Sequence, residues 1–221
     1  MLKRNFHLGR AEYLCRKKEN MEKESFEARM ARYRDDFATW AAECVRIVDK
    51  ESGAEVPYRL NAPQRRVLKE MEKLRRSGRP VRIIMLKARQ WGGSTLVQVY
   101  MAWMQLVVCR GWNSVTCAHV RDASSAIRGM YSRLLRCYPE ELKRGDEEPD
   151  DDGDDRERRR RLKEWELTPY EKSASIDCVR ARGCLVAIAT AQSPNAVRSS
   201  NIAMAHLSEV AFWGDGDLDN A

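Results

Sequence analysis

The chain reads as an α/β protein: a mostly parallel central sheet flanked by helices, with a helical appendage at its N-terminus. Three observations predict this. A nearly continuous apolar run, Val81–Leu86, passes through a glycine-bearing turn into a long, almost wholly apolar helix over Leu96–Val108. Strand-like and helical runs then alternate, with Ser114–Ala118 followed by Ala123–Cys137, and a further apolar strand at Ile202–Leu207. At 221 residues the chain is long enough to bury the core of one such domain and carry an appendage.

Residues 1–50 read as helical. Lys17 to Tyr33 is strongly charged, whereas Phe37, Trp40, Ala41, Cys44, Val45 and Val48 recur at helical spacing, a stripe that predicts core packing or docking onto the sheet. Glu51-Ser52-Gly53 is a turn, and an extended lead-in follows to Ala62-Pro63-Gln64. Pro63 suits the first turn of a helix with Asn61 as its cap; that helix runs to about Arg76 and stops at Ser77-Gly78-Arg79-Pro80. Val81–Leu86, apolar except for Arg82, is expected as a central parallel strand. The Ala123–Cys137 helix ends at Tyr138-Pro139. Asp146–Asp155 is almost entirely acidic and Arg156–Lys163 almost entirely basic, so residues 145–161 are expected to form a flexible, solvated insertion. Ser175–Val179 and Cys184–Ala189 read as a hairpin about Arg182-Gly183. In an open sheet of this kind the ligand sits at the strands' carboxyl ends.

Composition narrows the classes. No stretch approaches the roughly twenty apolar residues of a membrane span, and the first residues lack a signal-peptide core. Seven scattered cysteines with no C-x-x-C pair predict reduced thiols rather than a disulfide framework or zinc site. His7, His119 and His206 lie far apart in sequence and lack a set of partner ligands, so packing or hydrogen bonding is their expected role. The acidic run lacks the spacing of a calcium loop. A net charge of +7 permits a polyanionic partner, DNA foremost.

The connection Lys87-Ala88-Arg89-Gln90-Trp91-Gly92-Gly93-Ser94-Thr95 carries the chemistry. Strand, glycine turn and helix start are the layout of a phosphate-binding loop, in which backbone N–H groups and the positive end of a helix dipole cradle phosphates and a hydroxyl reaches Mg²⁺. Against the spacing G-x-x-x-x-G-K-[ST], Gly92 matches the second glycine and Ser94 the hydroxyl. Gly93 stands where the lysine belongs, and Lys87 where the first glycine belongs. A lysine at the front of the loop can still fold back onto the same phosphates. The alternative is an ordinary strand–turn–helix connection. A second signal follows in the proper chain order: the strand Ile202–Leu207 runs into Ser208-Glu209, presenting a hydroxyl and a carboxylate at a strand's carboxyl end.

Taken together, Lys87–Thr95 and His206-Leu207-Ser208-Glu209-Val210-Ala211-Phe212-Trp213 resemble the ATPase domain of tailed-phage terminase large subunits, DNA-packaging motors whose Walker A lysine is often displaced to the front of the loop. Three further stretches, Val56–Gln64, Asn113–Ser125 and Thr190–Ser200, resemble the segments that precede the first core strand, follow the P-loop helix and lead into the Walker B strand. The likeness spans about residues 40–221. The family's Ser/Thr-rich coupling motif beyond Walker B and its nuclease domain have no counterpart in this sequence, so DNA cleavage is not expected.

The resemblance implies a P-loop NTPase fold of the ASCE type, with residues 1–50 as appendage and 51–221 as the ATPase domain. It implies ATP and Mg²⁺ as cofactors. Lys87 would neutralise phosphate charge, Glu209 would orient the attacking water, and Arg89 would stabilise transition-state charge in cis or else be a surface residue. Gln90, Trp91, Gly92 and Gly93 would form the cradle, with Trp91 either packing on a neighbouring loop or stacking on a base. Ser94 would hold Mg²⁺, with Thr95 as substitute or helix cap, and Ser208 would hold the metal's water shell. Gln64 would read adenine through its amide, or else be an exposed first-turn residue. Arg128, Arg133 and Arg136 lie on a helix that could serve a neighbouring subunit's site. The implied partners are double-stranded DNA, held by its backbone, a portal protein, the terminase small subunit and further copies in a ring, in the host cytoplasm and with no membrane. Two other readings stay open: a helicase-like DNA translocase, and a non-catalytic assembly module with a degenerate loop.

Overall fold

The computed structural model describes residues 24–49, 51–86, 90–144, 155–173, 175–191 and 201–213. Two short helices open it, α1 (Phe26–Asp35) and α2 (Phe37–Cys44). Asp36 ends the first and caps the second, its carboxylate accepting from Thr39 N at 3.1 Å. The predicted stripe docks in part: Phe37, Trp40, Ala41, Cys44 and Val45 are buried, but the helix expected to continue towards residue 50 stops at Cys44, and Val48 is exposed in a strand, Arg46–Val48. Phe37 sits 5.5 Å from the rings of both Tyr100 and Trp103, and Trp103 Nε1 donates to Tyr33 O at 2.7 Å. The appendage thereby shares its core with the sheet domain.

Next comes a hairpin, β1 (Arg46–Val48) and β2 (Glu55–Pro57), in antiparallel register with Ile47 opposite Val56. Helix α3 (Ala62–Arg76) follows with the predicted bounds, cap and first-turn proline. Helix α4 (Gly93–Trp103) is buried along nearly its whole length and widens into a π turn over Met104–Val108, where Cys109 N reaches Met104 O at 2.7 Å. After β3 (Asn113–Ala118) come α5 (Arg121–Arg136), α6 (Glu140–Arg144) and α7 (Asp155–Glu164). Strands β4 (Thr168–Pro169), β5 (Ile176–Val179), β6 (Cys184–Thr190) and β7 (Ile202–Leu207) complete the described elements.

Five strands form one sheet in the order β4-β5-β6-β3-β7. Strand β3 is parallel to both β6 and β7, whereas β4, β5 and β6 pair antiparallel. The sheet is therefore mixed, not mostly parallel, because the β5–β6 hairpin turns the chain back on itself at Gly183, which takes a left-handed φ of 62°. Helices α4 and α5 cover the face carrying Ser114, Val186 and Met204, where the larger core lies. Val115, Cys117, Ala187 and Ala189 on the other face pack with Trp213.

Gln105, in the π turn and fully buried, ties these layers together. Its amide nitrogen donates to Trp112 O, Ser114 Oγ and Leu185 O, and its amide oxygen accepts from Tyr131 Oη at 2.9 Å. Its backbone carbonyl accepts from Arg182 Nε at 2.9 Å.

Two expectations need correction. Val81–Leu86 forms no strand: its backbone is irregular, and Ile84 and Leu86 are fully exposed. A β-branched apolar run has strand potential, but pairing is a tertiary event. Here β6 and β7 occupy both sides of β3, and the run meets no sheet edge. The charged stretch is not irregular throughout either. Residues 155–164 form α7, whose Glu157 pairs with Arg160 and Arg161 at helical i,i+3 and i,i+4 spacing. No residue of α7 is buried, as a solvated segment requires.

Candidate functional site

The glycine turn is held from behind by the start of α3. Asn61 and Gln64 form a reciprocal capping box: Asn61 Oδ1 accepts from Gln64 N at 2.9 Å, and Gln64 Oε1 accepts from Asn61 N at 3.0 Å. Each side chain then has an amide group left, and both are used on the turn. Asn61 Nδ2 donates to Trp91 O at 3.0 Å and Gln64 Nε2 to Gly92 O at 2.9 Å. Gln64 is only 3% exposed, so it is not the exposed first-turn residue its sequence position allows. In this geometry its amide shapes the turn.

Gly92 has φ +82°, which disfavours any side chain, and a Cβ there would lie 2.6 Å from Gln64 Nε2. Gln90 is left-handed as well, at φ 64°. The chain thus reverses sharply into Gly93, the first residue of α4, and Gly92 as N-cap offers no side-chain bond to the helix's first N–H groups. The Ser94 hydroxyl, one residue in, makes no hydrogen bond with the described residues. Thr95 Oγ1 faces Met130 Sδ at 3.9 Å.

In front of the turn is a cavity of about 620 Å³, in the size range of small-molecule sites. Gln64 and Gln90–Thr95 all line it. The β1–β2 hairpin and the residue after it supply one wall, with Arg46 and Tyr58; α5 supplies another, with Met130 and Arg133. Three donors of lining residues, Arg46 Nη1, Tyr58 Oη and Trp91 Nε1, are buried with no hydrogen-bond partner among the described residues. Each such group costs about 1–3 kcal/mol when left unpaired. Burial also pushes the Tyr58 phenol well above its ordinary pKa, leaving it neutral and protonated. The carboxylate of Asp49, also on the lining, is engaged in its own hairpin turn, accepting from Ser52 N at 2.8 Å and Ser52 Oγ at 2.7 Å. Glu51, exposed on the hairpin turn, is the other carboxylate on the lining; Arg46, Arg59, Arg133 and the first N–H groups of α4 outnumber it, so the cavity suits a ligand rich in acceptors.

Gln98 connects the cavity to the sheet. Its Nε2 donates to Thr116 Oγ1 at 3.1 Å and to His206 Nδ1 at 2.8 Å, so in the neutral imidazole the proton sits on Nε2. His206 is thus a buried hydrogen-bonding residue, and among the described residues no group of His, Cys, Asp and Glu is placed to hold a metal. Beyond it, Ser208 N continues the ladder to Cys117 O at 2.8 Å, and its carbonyl accepts from Trp213 Nε1. Glu209 takes a left-handed φ of 59° at the head of the 3-10 turn Val210–Phe212 and is exposed.

The structure brings together seven of the sequence-predicted residues, Gln64 and Gln90–Thr95, around one cavity. Ser208 and Glu209 sit at the end of β7, outside its lining. Lys87 and Arg89 fall outside the described residues. Sequence reasoning missed Arg46, Tyr58 and a cavity-lining place for Arg133. The signal for the first two was present: Arg46-Ile47-Val48 and Glu55-Val56-Pro57 flank a turn at Ser52-Gly53, a hairpin pattern. No family model and no curated protein matches the chain. Among the described residues, no helix is long and apolar enough to cross a membrane.

Proposed function

We propose that this chain is the ATPase domain of a DNA-packaging motor of the terminase large-subunit kind, with a P-loop NTPase core of ASCE type. The observation that carries the reading is the turn Gln90–Gly93, braced by α3 and opening the N-terminus of α4 onto a donor-rich cavity. ATP with Mg²⁺, when bound, supplies the polyphosphate to be cleaved. The residues present suit it: the first-turn N–H groups of α4 bind phosphate oxygens, the unbonded Ser94 hydroxyl is a ligand for the cation, and Lys87 adds positive charge at the front of the loop. Glu209 orients water, with Arg89 as a cis stabiliser of transition-state charge. The net charge of +7 suits backbone contact with double-stranded DNA. Portal protein, small subunit and further copies in a ring are the partners this reading implies, in the host cytoplasm.

Calorimetric titration of Mg·ATP into the wild type and Lys87→Ala tests the site, and turnover by Glu209→Gln tests the enzyme. Binding lost in the first variant, with binding kept and turnover lost in the second, is the expected result. Unchanged behaviour in both would end the proposal.

A second reading has a specific observation in its favour. Glu209 and Ser208 stand outside the cavity, and Val81–Leu86 is undocked, so the chain also suits a nucleotide-binding assembly module that does not hydrolyse. Mg·ATP binding without turnover, in the protein assembled with its partners, would favour it. A helicase-like translocase shares every residue invoked here, and translocation on naked DNA without a capsid would select it.

A further inference from the structure

We infer that Arg133 of α5 and Arg46 of the β1–β2 hairpin are anion-binding residues of the cavity, acting in cis, with Tyr58 as a third donor to the same ligand. The inference rests on reading the cavity as a nucleotide site and names its charge-bearing wall. Arg46 Nη1 and Tyr58 Oη are both buried without a hydrogen-bond partner among the described residues, and Tyr58 is only 2% exposed. Arg133 lines the same space, half-buried, with no carboxylate partner among the described residues. The neighbouring arginine Arg128 shows the contrast: it is spent on Asp177, at 2.7 Å, and is no part of the cavity.

The donor types decide the ligand class. A guanidinium and an indole N–H only donate, and so do the first backbone N–H groups of α4. A neutral, evenly polar ligand would leave several of these unsatisfied. A polyphosphate offers acceptors on every side and the negative charge that two arginines answer. Apolar Val99 and Leu134 also line the cavity and suit the less polar part of the same ligand, a nucleoside. Bound there, a nucleoside polyphosphate links the hairpin, α5 and the glycine turn, three elements far apart in sequence.

The test is titration of inorganic tripolyphosphate and of Mg·ATP into the wild type, Arg133→Gln, Arg46→Gln, Tyr58→Phe and, as control, Arg136→Gln. Arg136 is exposed on the same helix and outside the cavity. Arg133→Gln and Arg46→Gln should each weaken tripolyphosphate about tenfold or more, the effect of losing a charge-assisted hydrogen bond. Arg136→Gln should change nothing. Tyr58→Phe should weaken Mg·ATP while leaving or raising the thermal midpoint of the ligand-free protein, since it removes an unpartnered hydroxyl. Failure of the wild type to bind tripolyphosphate, equal weakening by all three arginine variants, or no weakening by Arg133→Gln and Arg46→Gln would each overturn the inference. Arg133-dependent binding of tripolyphosphate without any ATP turnover would leave it standing and remove the motor instead.

Discussion

Replacing Gly92 by alanine tests the bracing of the turn. Two costs add. An L-residue at φ +82° is strained by about 1–2 kcal/mol. The new methyl also meets Gln64 Nε2 at 2.6 Å, so the amide must swing away and release Gly92 O, a part-buried hydrogen bond worth about 0.5–1.5 kcal/mol net. The expected loss is about 2–3 kcal/mol. With a urea m-value of about 2 kcal/mol/M, the unfolding midpoint falls by roughly 1–1.5 M. Urea titration followed by fluorescence measures it, and a second background separates the two causes. In Gln64→Ala the clash is gone and only the backbone strain remains, so Gly92→Ala should cost about 1 kcal/mol less there. An equal cost in both backgrounds would refute the contact, and a midpoint within about 0.3 M of wild type would refute the strain as well.

Other consequences are open to measurement. Gln105→Leu keeps the volume but strips partners from Tyr131 Oη, Trp112 O and Leu185 O, and should destabilise by about 2–4 kcal/mol in chemical unfolding; a loss under about 1 kcal/mol would mean the π turn holds without its hub. Burial raises the Glu72 pKa, but hydrogen bonds from Arg75 and Tyr100, with the charges of Arg75 and Arg76, outweigh it and hold the carboxyl below the usual range. Its folded pKa being the lower one, Glu72 contributes stability that is full above its unfolded pKa and is lost as pH falls through the folded value. Stability curves from pH 6 down to about pH 3 should therefore flatten in Glu72→Gln, and parallel curves would contradict the pairing. Burial pushes the Cys44 thiol up to about 12 and Cys184 up to about 11, so both should resist iodoacetamide at pH 8 until urea unfolds the chain. Native-state labelling of either, read by mass spectrometry, would place it nearer solvent than described.

Local signals in the sequence were sufficient where the structure is local. Asn61, Pro63 and the Ser77-Gly78 stop delimit α3 because caps and breakers act within a turn of the residues they govern. The Phe37–Val45 part of the N-terminal stripe and the β5–β6 hairpin likewise follow from spacing and a turn glycine, although the helix expected to run on towards residue 50 gives way to β1. What failed depends on partners distant in the chain. Val81–Leu86 and Ile202–Leu207 look alike as apolar runs, yet only the second finds β3. The site divides in the same way. The turn from Gln90 to Thr95 was legible as a phosphate cradle, whereas its second wall comes from Arg46, Tyr58 and Arg133, whose convergence no spacing announces. Gln64 was legible as a site residue by position. That its amide faces the loop's carbonyls was not, because capping-box geometry turns it inward.

The reach of α3 to Trp91 O and Gly92 O also fixes a direction. In a trans peptide the carbonyl and the N–H point opposite ways. With two successive carbonyls drawn toward Asn61 and Gln64, the N–H groups of Gly92 and Gly93 are turned away from α3. A flexible turn could flip either peptide and show a ligand an oxygen instead of a hydrogen. Here two neutral amides, contributing no charge of their own, set the polarity of both peptide planes together with Leu96 N of α4, which donates to Gly92 O at 3.0 Å, so the sign of the turn's local field is decided jointly by α4 and by a helix about thirty residues upstream.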